Sequence, residues 1–109
     1  MPYDEGLFIR ITELLDGEIE FEAKKMFGGI CYLLNGNMLG GIINDELIIR
    51  AGKENHEELL KLDHTRVFDI TGKVMKGWIL VEPEGIDSSV KLRSWLEKGI
   101  TFAQSLPPK

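Results

Sequence analysis

The chain has 109 residues, 43% hydrophobic and 28% charged, with one cysteine and a net charge of −5. Such a length holds one core, so residues 1–109 are read as one domain, and the composition is that of an ordinary globular protein. A lone cysteine excludes an intrachain disulfide, and the longest apolar run, residues 30–34, is far short of the roughly 20 residues that span a bilayer.

The first residues, Met1 to Gly6, are acidic with no apolar run behind them, which argues against a signal peptide and for a cytoplasmic protein without membrane partners. Charge is uneven along the chain. Residues 1–23 hold seven acids and one base, while the remainder is close to neutral. Nothing in that balance favours the phosphate backbone of a nucleic acid, although a local basic patch stays open.

Leu7, Phe8, Ile11, Leu14 and Leu15 fall on one helical face, with Asp4 placed to cap the start and Gly17 to end it. Residues 18–22 alternate acids with Ile19 and Phe21 and read as an extended or loop segment. Residues 26–34 and 38–43 then flank Asn35-Gly36, a pair suited to a type I′ hairpin because both positions tolerate positive φ. A two-residue loop there sets Ile30 opposite Gly41 and Cys31 opposite Gly40. Asn44-Asp45 turns the chain into a third strand, residues 46–50, closed by Arg50. The first two strands are apolar on both faces, so both need cover. Helices can supply one cover; a further helix or a second subunit is expected to supply the other.

A short helix is predicted over residues 54–62, with Leu59, Leu60 and Leu62 inward. Residues 66–71 and 77–82 read as two more strands joined around Thr71-Gly72-Lys73, with Pro83 ending the second. A last helix starts near Asp87-Ser88-Ser89 and holds Leu92, Trp95, Leu96, Gly99, Ala103 and Leu106 on one face. The order is α-β-β-β-α-β-β-α. Runs of strands in place of βαβ alternation make this α+β, a mostly antiparallel sheet flanked by helices.

Chemistry-bearing residues are few. Cys31 lies in an apolar strand, where a thiol packs as a small hydrophobe more often than it attacks a substrate. His56 and His64 lack metal-ligand spacing and read as solvated or capping residues. Ser88-Ser89 reads as a helix cap. Glu18, Glu20 and Glu22 share one face of an extended segment, which can attract a divalent cation but more often keeps a sheet edge soluble. No metal, cofactor or catalytic residue is therefore assigned. The mid-strand glycines Gly40 and Gly41 mark a bulge, room for a large neighbour such as Trp78 or Trp95, or the close approach of a ligand or partner chain. Among the bases, Lys24, Lys25, Arg50, Lys53, Lys73 and Lys76 lie near strand ends. Lys25, Arg50 and Lys76 are the candidate binding residues, for an acidic protein or, less in keeping with the net charge, a nucleic acid.

The runs Lys25-Met26-Phe27-Gly28-Gly29, Leu34-Asn35-Gly36-Asn37-Met38 and Glu46-Leu47-Ile48-Ile49-Arg50, continued by Thr71-Gly72-Lys73, Lys76-Gly77-Trp78 and Val81-Glu82-Pro83, resemble the TfoX (Sxy) N-terminal domain family over residues 7–105. The resemblance implies an α+β domain similar to secretion-chaperone-like folds. It implies a fold-setting role for Met26, Phe27, Gly28, Gly29, Gly36, Gly77, Trp78 and Pro83, and brings no catalytic residues. The family's named members regulate competence gene expression and carry a second, helical domain after this one. The expected function is a non-enzymatic interaction or regulatory module with a protein partner, and a homodimer is a second expectation. A nucleic-acid-associated regulator and a small enzyme built on Cys31 or Asp69 are the alternatives.

Overall fold

The computed structural model describes residues 3–26, 28–69 and 72–108, without the side chain of Met26. Helix α1 spans Glu5–Leu15 and begins where the Asp4 carboxylate accepts the Leu7 N–H at 3.1 Å; Leu7, Ile11 and Leu15 form its buried stripe. Strands β1 (Glu22–Met26), β2 (Gly29–Leu34), β3 (Asn37–Ile43) and β4 (Glu46–Arg50) follow. After a 3₁₀ turn, Lys53–Asn55, come α2 (His56–Leu60), β5 (Thr65–Val67) and β6 (Trp78–Val81). A second 3₁₀ turn, Pro83–Gly85, leads to α3 (Ser89–Gln104), capped by the Ser88 hydroxyl, which accepts the Lys91 N–H at 3.2 Å.

The strands form one antiparallel sheet ordered β1-β2-β3-β4-β6-β5, so the α+β reading holds with one strand more than expected. The expected strand over 26–34 is two elements, folded back on each other so that Lys24 faces Cys31 and Met26 faces Gly29. β1 escaped the sequence reading because it has no apolar alternation; residues 22–25 are all exposed. The helix expected over 54–62 is one short turn of 3₁₀ and one of α, and Leu62 is 48% exposed where it was expected inward. The strand expected over 66–71 ends at Val67, and the turn at Thr71 lies outside the described residues.

Asn35 (φ 52°) and Gly36 (φ 82°) make the hairpin turn as their chemistry requires. The register beyond them does not run on evenly. Leu33 faces Met38, but Tyr32 faces Gly40 and Cys31 faces Gly41, because a bulge intervenes. The bulge shifts every expected pair beyond it by one residue. It also explains the glycine pair. A Cβ on Gly40 would run into the Ile48 carbonyl oxygen, and one on Gly41 into that of Ile30. The close approach comes from the neighbouring strands themselves.

Both faces of the sheet are covered. On one, α1 and α3 bury Ile30, Tyr32, Leu34, Ile42, Leu47, Ile49, Ile79 and Val81 against Leu7, Ile11, Leu15, Leu92, Trp95 and Leu96. On the other, Cys31, Met38, Ile43, Ile48 and Leu80 lie under Phe68, with Met75 and Trp78 packed alongside. The cover there is the connection between β5 and β6, where an additional helix or a second subunit was expected. Backbone bonds fold it back: the Met75 N–H donates to Phe68 O at 3.0 Å and the Trp78 N–H to Met75 O at 3.2 Å. No helix among the described residues is long and apolar enough to cross a membrane.

Candidate functional site

Antiparallel pairing sets Arg50, the last residue of β4, directly opposite Trp78, the first of β6. Facing side chains in such a pair start about 5 Å apart. The Arg50 guanidinium carbon lies 5.2 Å from the Trp78 ring centre and 5.2 Å from that of Phe102, near the end of α3. A flat, weakly hydrated guanidinium is suited to such aromatic company, which fixes its plane without neutralising its charge.

The chain beyond Arg50 is locked to the entry of β6. The N–H groups of Ala51 and Gly52 both donate to Gly77 O, at 2.8 and 3.2 Å. The Gly77 N–H in turn donates to His56 Nδ1 at 3.0 Å. This clasp brings Lys53 and Lys76 beside Arg50, and with Gly52, Gly77, Trp78 and Phe102 they line a depression of about 90 Å³. Four ion pairs occur among the described residues, and none involves Arg50, Lys53 or Lys76. On the α2 side the same two lysines border a second depression with Glu54, Glu57 and His56, so carboxylates flank the cations there. Toward α3, a groove of about 600 Å³ runs on from Phe102, with Ala51 and Leu59 in its wall and Glu58, Glu97 and Lys98 at its rim.

Of the three candidate binding residues, Arg50 and Lys76 come together and Lys25 does not join them. Lys25 sits in the row Lys25–Ile30–Ile42–Leu47, on the far edge strand and three residues along β4 from Arg50. Three strand spacings alone put it roughly 14 Å away. Two members of the cluster were harder to read. Lys53 looked like one loop lysine among several, and Phe102 lay beside the expected inward face of the last helix. Its only signal was its place seven residues after Trp95, two helical turns on.

The other chemical candidates separate clearly. Cys31 is 1% exposed and burial pushes its thiol up to about 11, so it is a packed hydrophobe and no ready nucleophile. His56 is buried, contrary to the solvated or capping role expected; its Nδ1 accepts a hydrogen bond, which leaves the ring proton on Nε2. Glu18 pairs with Arg93 at 2.8 Å and Glu22 with Lys24 at 4.0 Å, while Glu20 and Glu22 together border a shallow depression beside the Asn35-Gly36 turn. Among the described residues no three His, Cys, Asp or Glu side chains are grouped to hold a metal ion.

The sequence model of the TfoX N-terminal domain matches residues 4–103. The chain belongs to the TfoX N-terminal domain family. The match takes in all three helices, apart from the last residue of α3, and all six strands, so the Arg50 cluster lies within the family's own domain. Several positions that carried the resemblance have structural work in this TfoX-type domain: Gly36 turns the hairpin, Gly77 closes the clasp, Trp78 stacks on Arg50 and Pro83 opens the 3₁₀ turn after β6. Phe27 lies outside the described residues. No match was found among curated proteins or among solved structures.

Proposed function

We propose that this TfoX-type domain is a non-catalytic, competence-regulator-like interaction module that engages an acidic segment of a protein partner at the Arg50 end of the sheet. The observation that carries this reading is the convergence of Arg50, Lys53 and Lys76 around Trp78 and Phe102 with no ion-paired carboxylate among the described residues. A guanidinium held between two rings keeps its edge N–H groups for a planar bidentate acceptor, and a carboxylate has that geometry. The adjoining groove gives the rest of a peptide somewhere to lie. Family membership supports a regulatory role over a catalytic one, and the buried Cys31 supports the same choice.

The test is fluorescence anisotropy with a labelled Glu/Asp-rich peptide, alongside affinity capture from the host after nuclease treatment. Arg50→Ala and Lys76→Gln are each expected to weaken peptide binding about tenfold, the size of one lost charge-assisted contact. Folding is checked by thermal melting. Peptide binding that ignores both substitutions would refute the assignment of this surface. The nucleic-acid reading survives only if a DNA duplex binds in its place, with affinity falling steeply in salt. A net charge of −5 works against it.

A further inference from the structure

The homodimer expected from an uncovered sheet face loses that motive, since Phe68 and Met75 cover the face beside Trp78 of β6. The sheet's edges give a different one. β5 is three residues long, and its Arg66 is held by Glu46, so that edge offers little. β1 ends the sheet on the other side with five residues, and positions 22–25 are exposed. Exposure of Ala23 and Lys25, which face the same side as Tyr32 and Ile30, shows that α1 does not overhang this edge. An open strand edge is a template for another strand.

We propose that β1 pairs antiparallel with β1 of a second copy, joining two sheets into one about a twofold axis at Ala23. The register follows from symmetry. A twofold axis normal to the sheet keeps each face continuous, so it passes through one residue and sets its neighbours against one another. Centred on Glu22, it opposes two glutamates; centred on Lys24, two lysines. Centred on Ala23, it opposes two small side chains on the axis and sets Glu22 against Lys24 of the second copy twice over. Phe21, half-buried beside Tyr32 with ring centres 5.8 Å apart, then faces Lys25 of the second copy.

Edge lysines usually keep strands apart. Here the Ala23-centred register is the one of the three that sets no like charges opposite each other. The Glu22–Lys24 pair within one strand is long, at 4.0 Å, with side chains 73% and 61% exposed, so both are free to re-pair across the axis. A five-residue edge buries less than a standard interface of about 1,600 Å², so association belongs in the micromolar range. The surface is separate from the Arg50 cluster.

Sedimentation of the whole chain over rising concentration tests the proposal, with three variants. Glu22→Lys and Lys24→Glu each turn two attractions into two repulsions and are expected to weaken dimerisation about tenfold, while the double reversal restores it to within about threefold. All these side chains are exposed in the monomer, so melting temperatures should hold. Under oxidant, Ala23→Cys should give a disulfide-linked dimer, and Lys25→Cys, which faces Phe21, should not. A monomer at millimolar concentration, a dimer blind to both reversals, or a link at position 25 in place of 23 would each overturn it.

Discussion

The two faces of this sheet are closed in different ways. One is covered by two helices that contribute Leu7, Ile11, Leu15, Leu92, Trp95 and Leu96 as regular stripes. The other is covered by Phe68 and Met75 from the irregular connection before β6, which lie over Cys31, Ile48 and Leu80 beside Trp78 of β6 itself. The helical cover is periodic and interlocks with the strands along its length. The loop cover rests on a few large side chains and on turn-type backbone bonds, among them Gly72 N–H to Asp69 O and Met75 N–H to Phe68 O. The contrast shows that a sheet apolar on both faces can be completed by well-placed aromatics, with no added helix or subunit.

The largest effect should come from the sheet both covers share. Gly40 belongs to the helical side and Gly41 to the other, and at each a Cβ would meet a neighbouring carbonyl. Gly40→Val and Gly41→Val should each abolish cooperative folding, read by circular dichroism, whichever face they sit on. Next come the covers themselves. Leu92→Ala should cost about 4 kcal/mol, whereas Phe68→Ala should cost about 3, at the low end for an aromatic, because a loop relaxes into the space more readily than a helix. Denaturant melts would measure both. The sharper difference is chemical: only Phe68→Ala should open Cys31 to a thiol reagent in the folded state.

The smallest effect separates the faces by pH. Burial raises Cys31 from the ordinary 9.0 to about 11 and Tyr32 from 10.0 to about 12. Each group holds its proton more tightly when folded, so stability is full below the unfolded value and falls as pH climbs toward the folded one. Cys31→Ala should therefore flatten the loss between about pH 9 and 11 that belongs to the loop side. Tyr32→Phe should flatten the loss between about 10 and 12 that belongs to the helical side. The slope of stability against pH, measured by chemical denaturation, distinguishes them independently of any constant offset.

Much of this was legible beforehand. Asn35-Gly36 declared its turn, Asp4 its cap, and the stripe from Leu92 to Ala103 its helix, because local chemistry decides each. What local chemistry does not carry was missed. The bulge is a pairing event between strands, so the even register derived from the hairpin failed beyond Leu33. β1 has no apolar face to betray it, being held by backbone bonds at an edge. The role of Phe68 depends on a loop folding back over strands distant in sequence. Arg50 stood out as a charge closing an apolar strand, but its facing Trp78 depends on the pairing of β4 with β6, which no local pattern carries. Phe102 reaches that guanidinium only through the docking of α3, and the separation of Lys25 from it only through the order of strands.

Asn37, 2% exposed at the start of β3, donates from Nδ2 to the Pro107 carbonyl at 2.9 Å. The hairpin it belongs to is a local structure that forms on a microsecond scale. The latch to Pro107 spans 70 residues and has to await the arrival of α3. Asn37→Ala is therefore expected to speed unfolding more than it slows folding, read from the two arms of a stopped-flow denaturant series. That outcome would make the turn after α3 a kinetic catch on a fold whose other parts assemble first.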